Sequence, residues 1–79
     1  MNWRDRISID PRIHHGKPCI KGTRVPVSVI IGSIADGDTP EQIMRYWPQL
    51  TAQDITAALK FAAKAASRAD VAALRSDAE

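Results

Sequence analysis

Apolar residues recur at helical spacing directly after Pro26 and predict a first helix. Their positions, i, i+3, i+4 and i+7, lie on one side of a helix. This stripe consists of Val27, Ile30, Ile31 and Ile34. The pair Asp36-Gly37 ends the pattern, because glycine readily takes the left-handed conformation that follows a helix. One helix with a single buried side is therefore expected here.

A second helix is predicted from its start and stop signals. Thr39 suits the capping position, and Pro40 suits the first helical position. Gln42 completes a Thr-x-x-Gln capping box, in which two backbone N–H groups find side-chain partners. Pro48 ends the helix after about two turns. Its apolar side consists of Ile43, Met44 and Trp47.

A third helix is predicted to begin after Thr51, which is another capping residue. Its expected apolar stripe consists of Ile55, Ala58, Leu59, Ala62, Ala63 and Ala66. Because alanine is the best helix former, the helix is expected to continue through Val71 and Leu74. Few side chains beyond residue 66 could form a core. We therefore predict a domain spanning residues 1–66 and a helical extension spanning residues 67–79.

Residues 1–26 lack the helical period and favour extended structure. Ile7 and Ile9 alternate with Ser8, as in a half-buried strand. Further extended pieces are predicted at residues 19–21 and 23–25. A two-stranded hairpin is marginal alone, so this head must pack against the helices or a second chain. The predicted fold is mainly α: a three-helix helix-turn-helix bundle with a short N-terminal β-hairpin or arm.

The length and the charge distribution of the chain limit the number of domains and the kinds of partner that we expect. The 79 residues allow one domain, and a single cysteine excludes an internal disulfide. Residues 1–24 hold six basic and two acidic residues, whereas residues 25–79 hold five basic and seven acidic ones. This basic head is either a solvated surface or a patch for nucleic acid or an acidic partner. With no targeting signal and no run long enough to span a bilayer, we expect a cytoplasmic protein.

The motifs of common catalytic and cofactor sites do not fit. GKPCIKGT has five residues between its glycines and no lysine after the second, unlike a nucleotide-binding P-loop. His14, His15 and Cys19 fall short of the four convergent ligands usual for zinc. Cys19, in an apolar setting, is expected to be a small buried hydrophobe. No nucleophile and base are paired by spacing, so we expect no cofactor, no metal and no enzymatic activity.

The first two predicted helices, joined by the turn DGDT, fit the helix-turn-helix motif. In DNA-binding versions the second helix enters the major groove, where Gln42 and Arg45 are the candidate readers. Lys21 and Arg24 are then candidates for phosphate contacts. Glu41 would face phosphates unfavourably, and the motif also occurs as a plain packing unit. DNA reading and packing both remain open.

The segment GKPCIKGTRVPV, residues 16–27, holds two of the four glycines and two of the five prolines. Glycine permits tight turns and proline fixes φ, which indicates a segment that shapes the chain. Lys21 and Arg24 could instead pair with acidic groups of a partner. The composition of this segment leaves open whether it shapes the chain or binds a partner.

Three stretches together resemble the small bacterial domain-of-unknown-function family 433. They are IDPRIHHGKPCIKGTRVPV, then GDTPEQI, then YWPQLTAQDITAAL, between about Ile7 and Ala62. The chain departs from the family pattern at Trp47, which stands between Tyr46 and Pro48 where the family often has tyrosine directly before proline. The combined motif is specific.

The resemblance implies a homeodomain-like helical fold, often dimeric, and an antitoxin of the VapB sort that acts on a PIN-like ribonuclease toxin. It supplies no catalytic residue. On this hypothesis a homodimer binds the toxin and also operator DNA, and the C-terminal extension enters the toxin's acidic metal site. The partner-binding residues expected there are Arg68, Val71, Leu74 and Arg75. The alternative is a stand-alone helix-turn-helix transcriptional regulator.

Overall fold

Three α-helices and one short hairpin make up the regular structure of the described residues, together with two short 3-10 turns. The computed structural model describes residues 2–77, and the side chains of residues 2–67. The hairpin strands are β1 (Ile7–Ser8) and β2 (Cys19–Ile20), and short 3-10 turns lie at Trp3–Arg6 and His14–Gly16. The helices are α1 (Val27–Ala35), α2 (Pro40–Tyr46) and α3 (Ala52–Asp77). This confirms a mainly helical fold with a short N-terminal hairpin.

The hairpin is antiparallel, with Ile7 opposite Ile20 and Ser8 opposite Cys19. It is shorter than predicted on both sides. Ile9 lies beyond β1 and is 62% exposed, so the half-buried alternation ends at Ser8. The predicted extended piece at residues 23–25 is not a strand; it forms the return from a turn, with only an isolated bridge between Cys19 and Pro26.

The predicted helix boundaries are confirmed by their caps. Thr39 and Gln42 form both hydrogen bonds of a capping box at the start of α2. Gly37 follows α1 with φ +100°, the left-handed conformation expected of it. At α3, Asp54 N donates to Thr51 Oγ1 at 3.2 Å, and Thr51 N donates to the Asp54 carboxylate at 2.9 Å.

The core joins β2 to all three helices. Ile30 of α1 and Ile43 of α2 have no exposed surface and belong to the same core cluster. Cys19 is also buried, as expected. The core cluster consists of Ile20, Val25, Val27, Ile30, Ile43, Leu50, Ile55 and Ala58.

The buried side of α3 differs from the predicted stripe. Leu59 is 42% exposed, and Ala63 and Ala66 are exposed too. Asp54 and Ala57 are buried instead. The cause is the N-terminal 3-10 turn, which packs against this side of α3 and brings a partner for the Asp54 carboxylate.

α3 passes residue 66 without a break, so the helix itself continues as predicted. The side chains of Arg68, Val71, Leu74 and Arg75, the predicted partner-binding residues, lie outside the described residues. Within the part of the chain that is described, no helix combines the length and apolar character needed to cross a bilayer.

Candidate functional site

An apolar groove runs between α1 and α3 and has a volume of about 410 Å³. Its walls come from both helices and from the loop before β2. It is lined by Lys17, Pro18, Val27, Ser28, Ile31, Phe61, Ala62 and Ala65. We call this surface the apolar groove.

The groove is held in shape by contacts at two of its corners. Val27 N donates a 2.9 Å hydrogen bond to the Pro18 carbonyl, which ties the loop to the first turn of α1. At the other corner, the Phe61 ring meets the Trp3 ring edge to face, with centroids 6.1 Å apart. Such pairs contribute beyond the area that they bury, so the N-terminal turn positions Phe61 in the groove wall.

The helix that forms one wall continues past the globular part. Residues 63–67 of α3, Ala-Lys-Ala-Ala-Ser, are all exposed. Because their side chains are mostly small, another helix could approach this stretch of backbone closely. The apolar groove therefore opens onto an exposed alanine-rich helix surface.

A second, polar depression lies on the hairpin, with a volume of about 540 Å³. It is lined by Ser8, Asp10, Ile13, Lys21, Gly22, Thr23 and Arg24. We call it the hairpin cleft. Two of the residues predicted to contact phosphates, Lys21 and Arg24, come together here.

The turn that carries these cations is fixed by Thr23. Its N–H and its hydroxyl both donate to the Ile20 carbonyl, at 3.0 and 2.8 Å. Its Oγ1 also accepts from Val25 N at 3.1 Å. Gly22 supplies φ +82°, which L side chains rarely adopt. The motif Gly-Thr therefore shapes the turn, and the exposed Lys21 and Arg24 are displayed on it.

The His14–Gly16 turn supports the backbone of a residue that lines the hairpin cleft. His14 and His15 both have positive φ, 49° and 57°, which is uncommon for residues with a side chain. His14 Nε2 lies 3.0 Å from the Arg24 carbonyl oxygen. Since a carbonyl only accepts, Nε2 is the donor. This histidine is therefore a structural brace for the Arg24 backbone.

Asp10, the one carboxylate among the described residues that line the cleft, already has a partner. Arg12 N and Nε donate to Asp10 Oδ1 at 2.9 and 3.1 Å, and a guanidinium N–H donates to Oδ2 at 3.1 Å. These hydrogen bonds lower the pKa of Asp10 below its ordinary value of 3.8. The Asp10 carboxylate is thus ionised at neutral pH and compensated by Arg12, and the hairpin cleft keeps a net positive charge from Lys21 and Arg24.

The two predicted readers on α2, Gln42 and Arg45, are not among the residues that line either depression. Gln42 Oε1 accepts from Thr39 N at 2.7 Å, so the capping box fixes this side chain at the start of α2. Arg45 is exposed in the last turn of α2. Their role in reading DNA stays a prediction.

The candidate metal ligands do not converge. Among the described residues, no group of three or more His, Cys, Asp or Glu side chains could hold a metal ion. Cys19 is buried, and its thiol lies 3.4 Å from the Lys17 carbonyl oxygen.

Sequence reasoning missed the groups that join the N-terminal turn to α3. Arg6 pairs with Asp54 at 2.9 Å and also bonds Gln53. Trp3 and Phe61 were likewise assigned no role. The sequence does contain a signal for the buried side of α3, because Asp54, Ala58 and Phe61 are spaced i, i+4 and i+7. The signal was not recognised because Asp54 is charged and does not belong to an apolar stripe.

Comparison with known proteins places these features in a family. The model of the family described as protein of unknown function, DUF433, matches residues 7–62. The uncharacterized protein y4eO of Sinorhizobium fredii is 37% identical over 59 residues, which are 75% of this chain and 27% of that protein. The crystal structure of a DUF433 member from Anabaena variabilis matches with a TM-score of 0.76 and 27% identity, over 85% of this chain and 66% of that chain. This chain thus spans about a quarter of the first relative and about two thirds of the second.

Proposed function

We propose that this chain, which belongs to the DUF433 family, is a non-catalytic cytoplasmic antitoxin that binds and inhibits a PIN-like ribonuclease toxin. One observation carries the proposal: the apolar groove opens onto exposed helix of α3. A concave apolar surface between two helices has the shape of a groove that accepts an amphipathic helix of a partner. A small domain with a thin core also gains stability when a partner covers such a surface.

The groove chemistry suits a helix of the partner. Ile31 and Phe61 provide larger apolar side chains, and Ala62 and Ala65 provide a flat strip beside them. An amphipathic helix could insert apolar side chains at i, i+3 and i+4 into such a groove. Lys17 at the rim would meet an acidic residue of the partner. On this proposal the C-terminal extension, with Arg68 and Arg75, reaches the acidic metal site of the nuclease.

The test compares two substitutions one residue apart on α3. Ala65 lines the groove and Ala66 does not, yet both are exposed. Glutamate is a good helix former, so both Ala65→Glu and Ala66→Glu should fold. Each variant is co-expressed with the PIN-like nuclease, and complex formation and ribonuclease activity are measured.

We expect Ala65→Glu to weaken the complex by about tenfold or more, since a charge buried without a partner costs several kcal/mol. Ala66→Glu should inhibit the nuclease like the unchanged chain. Equal binding by both variants would show that the groove is not the interface. Failure of the unchanged chain to inhibit the nuclease would overturn the antitoxin proposal itself.

A second candidate function is binding of operator DNA, by the antitoxin dimer or by a stand-alone regulator. The observation that favours it is the set of exposed cations, Lys21 and Arg24 on the hairpin and Arg45 on α2. A helix-turn-helix formed by α1 and α2 would put Arg45 in the major groove. Replacing Arg45 with alanine should then abolish a specific footprint on the operator. An unchanged footprint would remove α2 as the reading helix.

A further inference from the structure

We propose that the hairpin cleft is a binding site for a phosphoryl group, held by the Lys21 and Arg24 side chains and by amide N–H groups of the turn. This site is distinct from the apolar groove and does not rest on the antitoxin assignment. The phosphoryl group could belong to a small phosphate compound or to a nucleic-acid backbone. Four features of the cleft support the proposal.

The cleft holds two cations that lack a counter-charge. The two ion pairs between described side chains are Arg6–Asp54 and Arg12–Asp10, so neither Lys21 nor Arg24 is paired within that part of the chain. A turn of two residues keeps these like charges near each other. Their mutual repulsion is relieved when an anion sits between them.

The turn also offers backbone donors. Among the described residues, the N–H groups of Gly22 and Arg24 have no hydrogen-bond acceptor, whereas those of Lys21, Thr23 and Val25 have one each. The Ser8 hydroxyl, which also lines the cleft, makes no hydrogen bond within the same part of the chain. The N–H groups of Gly22 and Arg24, on either side of Thr23, therefore remain as donors for an anion bound at the turn.

The backbone of the turn that carries Lys21 and Arg24 is already fixed by hydrogen bonds without a ligand. Thr23 closes the turn with three hydrogen bonds, and His14 fixes the Arg24 carbonyl. A site that is already rigid loses little entropy when it binds. The left-handed backbone of His14 and His15 forms the turn from which the His14 ring reaches the Arg24 carbonyl.

The chemistry of the donors suits a phosphoryl group. Arginine presents a planar fork that matches two oxygens of a phosphate, and lysine adds a compact charge. A phosphoryl group has three oxygens to share among these donors and the N–H groups of the turn. The cleft, at about 540 Å³, lies in the range of small-molecule sites and leaves room for the rest of a nucleotide.

The test titrates the full chain with inorganic phosphate and, separately, with a short DNA duplex. Amide chemical shifts of Gly22 and Arg24 report on the cleft directly. The variants Lys21→Gln and Arg24→Gln remove one charge each from exposed side chains, so both should fold. Lys60→Gln, which removes the same charge from an exposed position on α3, is the matched control.

We expect phosphate to shift the Gly22 and Arg24 amides, and either cleft variant to weaken this binding by about tenfold, while Lys60→Gln has no effect. If the source is nucleic acid, the duplex binds much more tightly than phosphate, and each cleft variant reduces the salt slope by about 0.9. If the source is a small compound, the duplex binds no better than phosphate. Amide shifts that do not move, or equal weakening by Lys60→Gln, would overturn the site.

Discussion

Two arginines of the N-terminal head each pair with an aspartate, but they differ in their access to water. The Arg6 and Asp54 side chains are 32% and 10% exposed, and those of Arg12 and Asp10 are 89% and 28% exposed. Ion pairs in water contribute little, whereas a buried carboxylate that loses its partner is costly. Both pairs join an arginine to an aspartate, but they are expected to contribute very differently to stability.

Replacing Arg6 with methionine should lower the free energy of unfolding by about 1–2 kcal/mol, because the buried Asp54 carboxylate loses a charged donor. Urea denaturation of the variant measures this change. Arg12→Met, the same substitution at the exposed pair, is the control and should lower the free energy of unfolding much less. Equal effects of the two substitutions would contradict the assigned difference in burial.

The Asp10 carboxyl is expected to titrate below its ordinary pKa of 3.8, because hydrogen bonds from the Arg12 side chain and backbone favour its ionised form. Removing the guanidinium in Arg12→Ala should raise this pKa towards 3.8. The sign follows from linkage: a lowered pKa contributes stability above the unfolded pKa, and this contribution is lost as the pH falls through the folded pKa. Carbon-detected NMR titration of Asp10 in both proteins measures the shift; an unchanged pKa in the variant would exclude Arg12 as its cause.

At the scale of the elements, α2 depends most on its cap. It has seven residues, and isolated helices so short are not stable in water. It nevertheless buries Ile43 completely. The capping box of Thr39 and Gln42 therefore supports a helix whose packing completes the core.

Thr39→Ala should lower the free energy of unfolding by about 1 kcal/mol, which is the usual effect of removing a helix cap. The control is Thr56→Ala, the same chemical change at an exposed position inside α3. It should raise stability by about 0.5 kcal/mol, because alanine has the higher helix propensity. Thermal unfolding followed by circular dichroism distinguishes the two, and a loss of stability in both would show that the threonines act through something other than capping.

Local signals explain why the elements could be predicted. Capping threonines, a proline at the first helical position and a glycine after α1 act within a few residues, so the sequence displays them directly. The side of α3 that is buried could not be predicted in the same way. It depends on contacts of Arg6 with Asp54 and of Trp3 with Phe61, which are distant in the sequence, and the helical spacing of Asp54, Ala58 and Phe61 does not identify those partners.

The candidate surfaces, too, could be predicted from the sequence only in part. Lys21 and Arg24 were candidates for phosphate contacts because they are basic residues in a glycine-rich segment. The shape of the cleft around them depends on the positive φ of His14 and on the hydrogen bonds of Thr23. No pattern of apolar residues predicts either feature. The apolar groove was missed because its walls come from two helices and a loop.

At the scale of the whole molecule, segment 16–27 serves both surfaces. Its first residues, Lys17 and Pro18, line the apolar groove, and Lys21–Arg24 line the hairpin cleft. Cys19, Ile20 and Val25 between and after them are buried. The segment therefore shapes the chain and also displays groups for binding, and the two roles left open by its composition are compatible.

Removing residues 68–79 should leave a folded domain, because every buried core residue that is described lies at or before residue 58. We expect cooperative thermal unfolding with a midpoint within about 4 °C of the full chain, the shift that corresponds to less than 1 kcal/mol in a domain of this size. The truncated chain keeps the apolar groove but lacks Arg68, Val71, Leu74 and Arg75, so it should bind the nuclease more weakly and should no longer inhibit it, since the extension is the part proposed to reach the metal site. Ala65→Glu in the full chain weakens binding through the groove instead, so the two variants separate the surface that holds the partner from the segment that blocks it. A truncated chain that inhibits as well as the full one would leave the groove as the interface and exclude the extension as the inhibitory element.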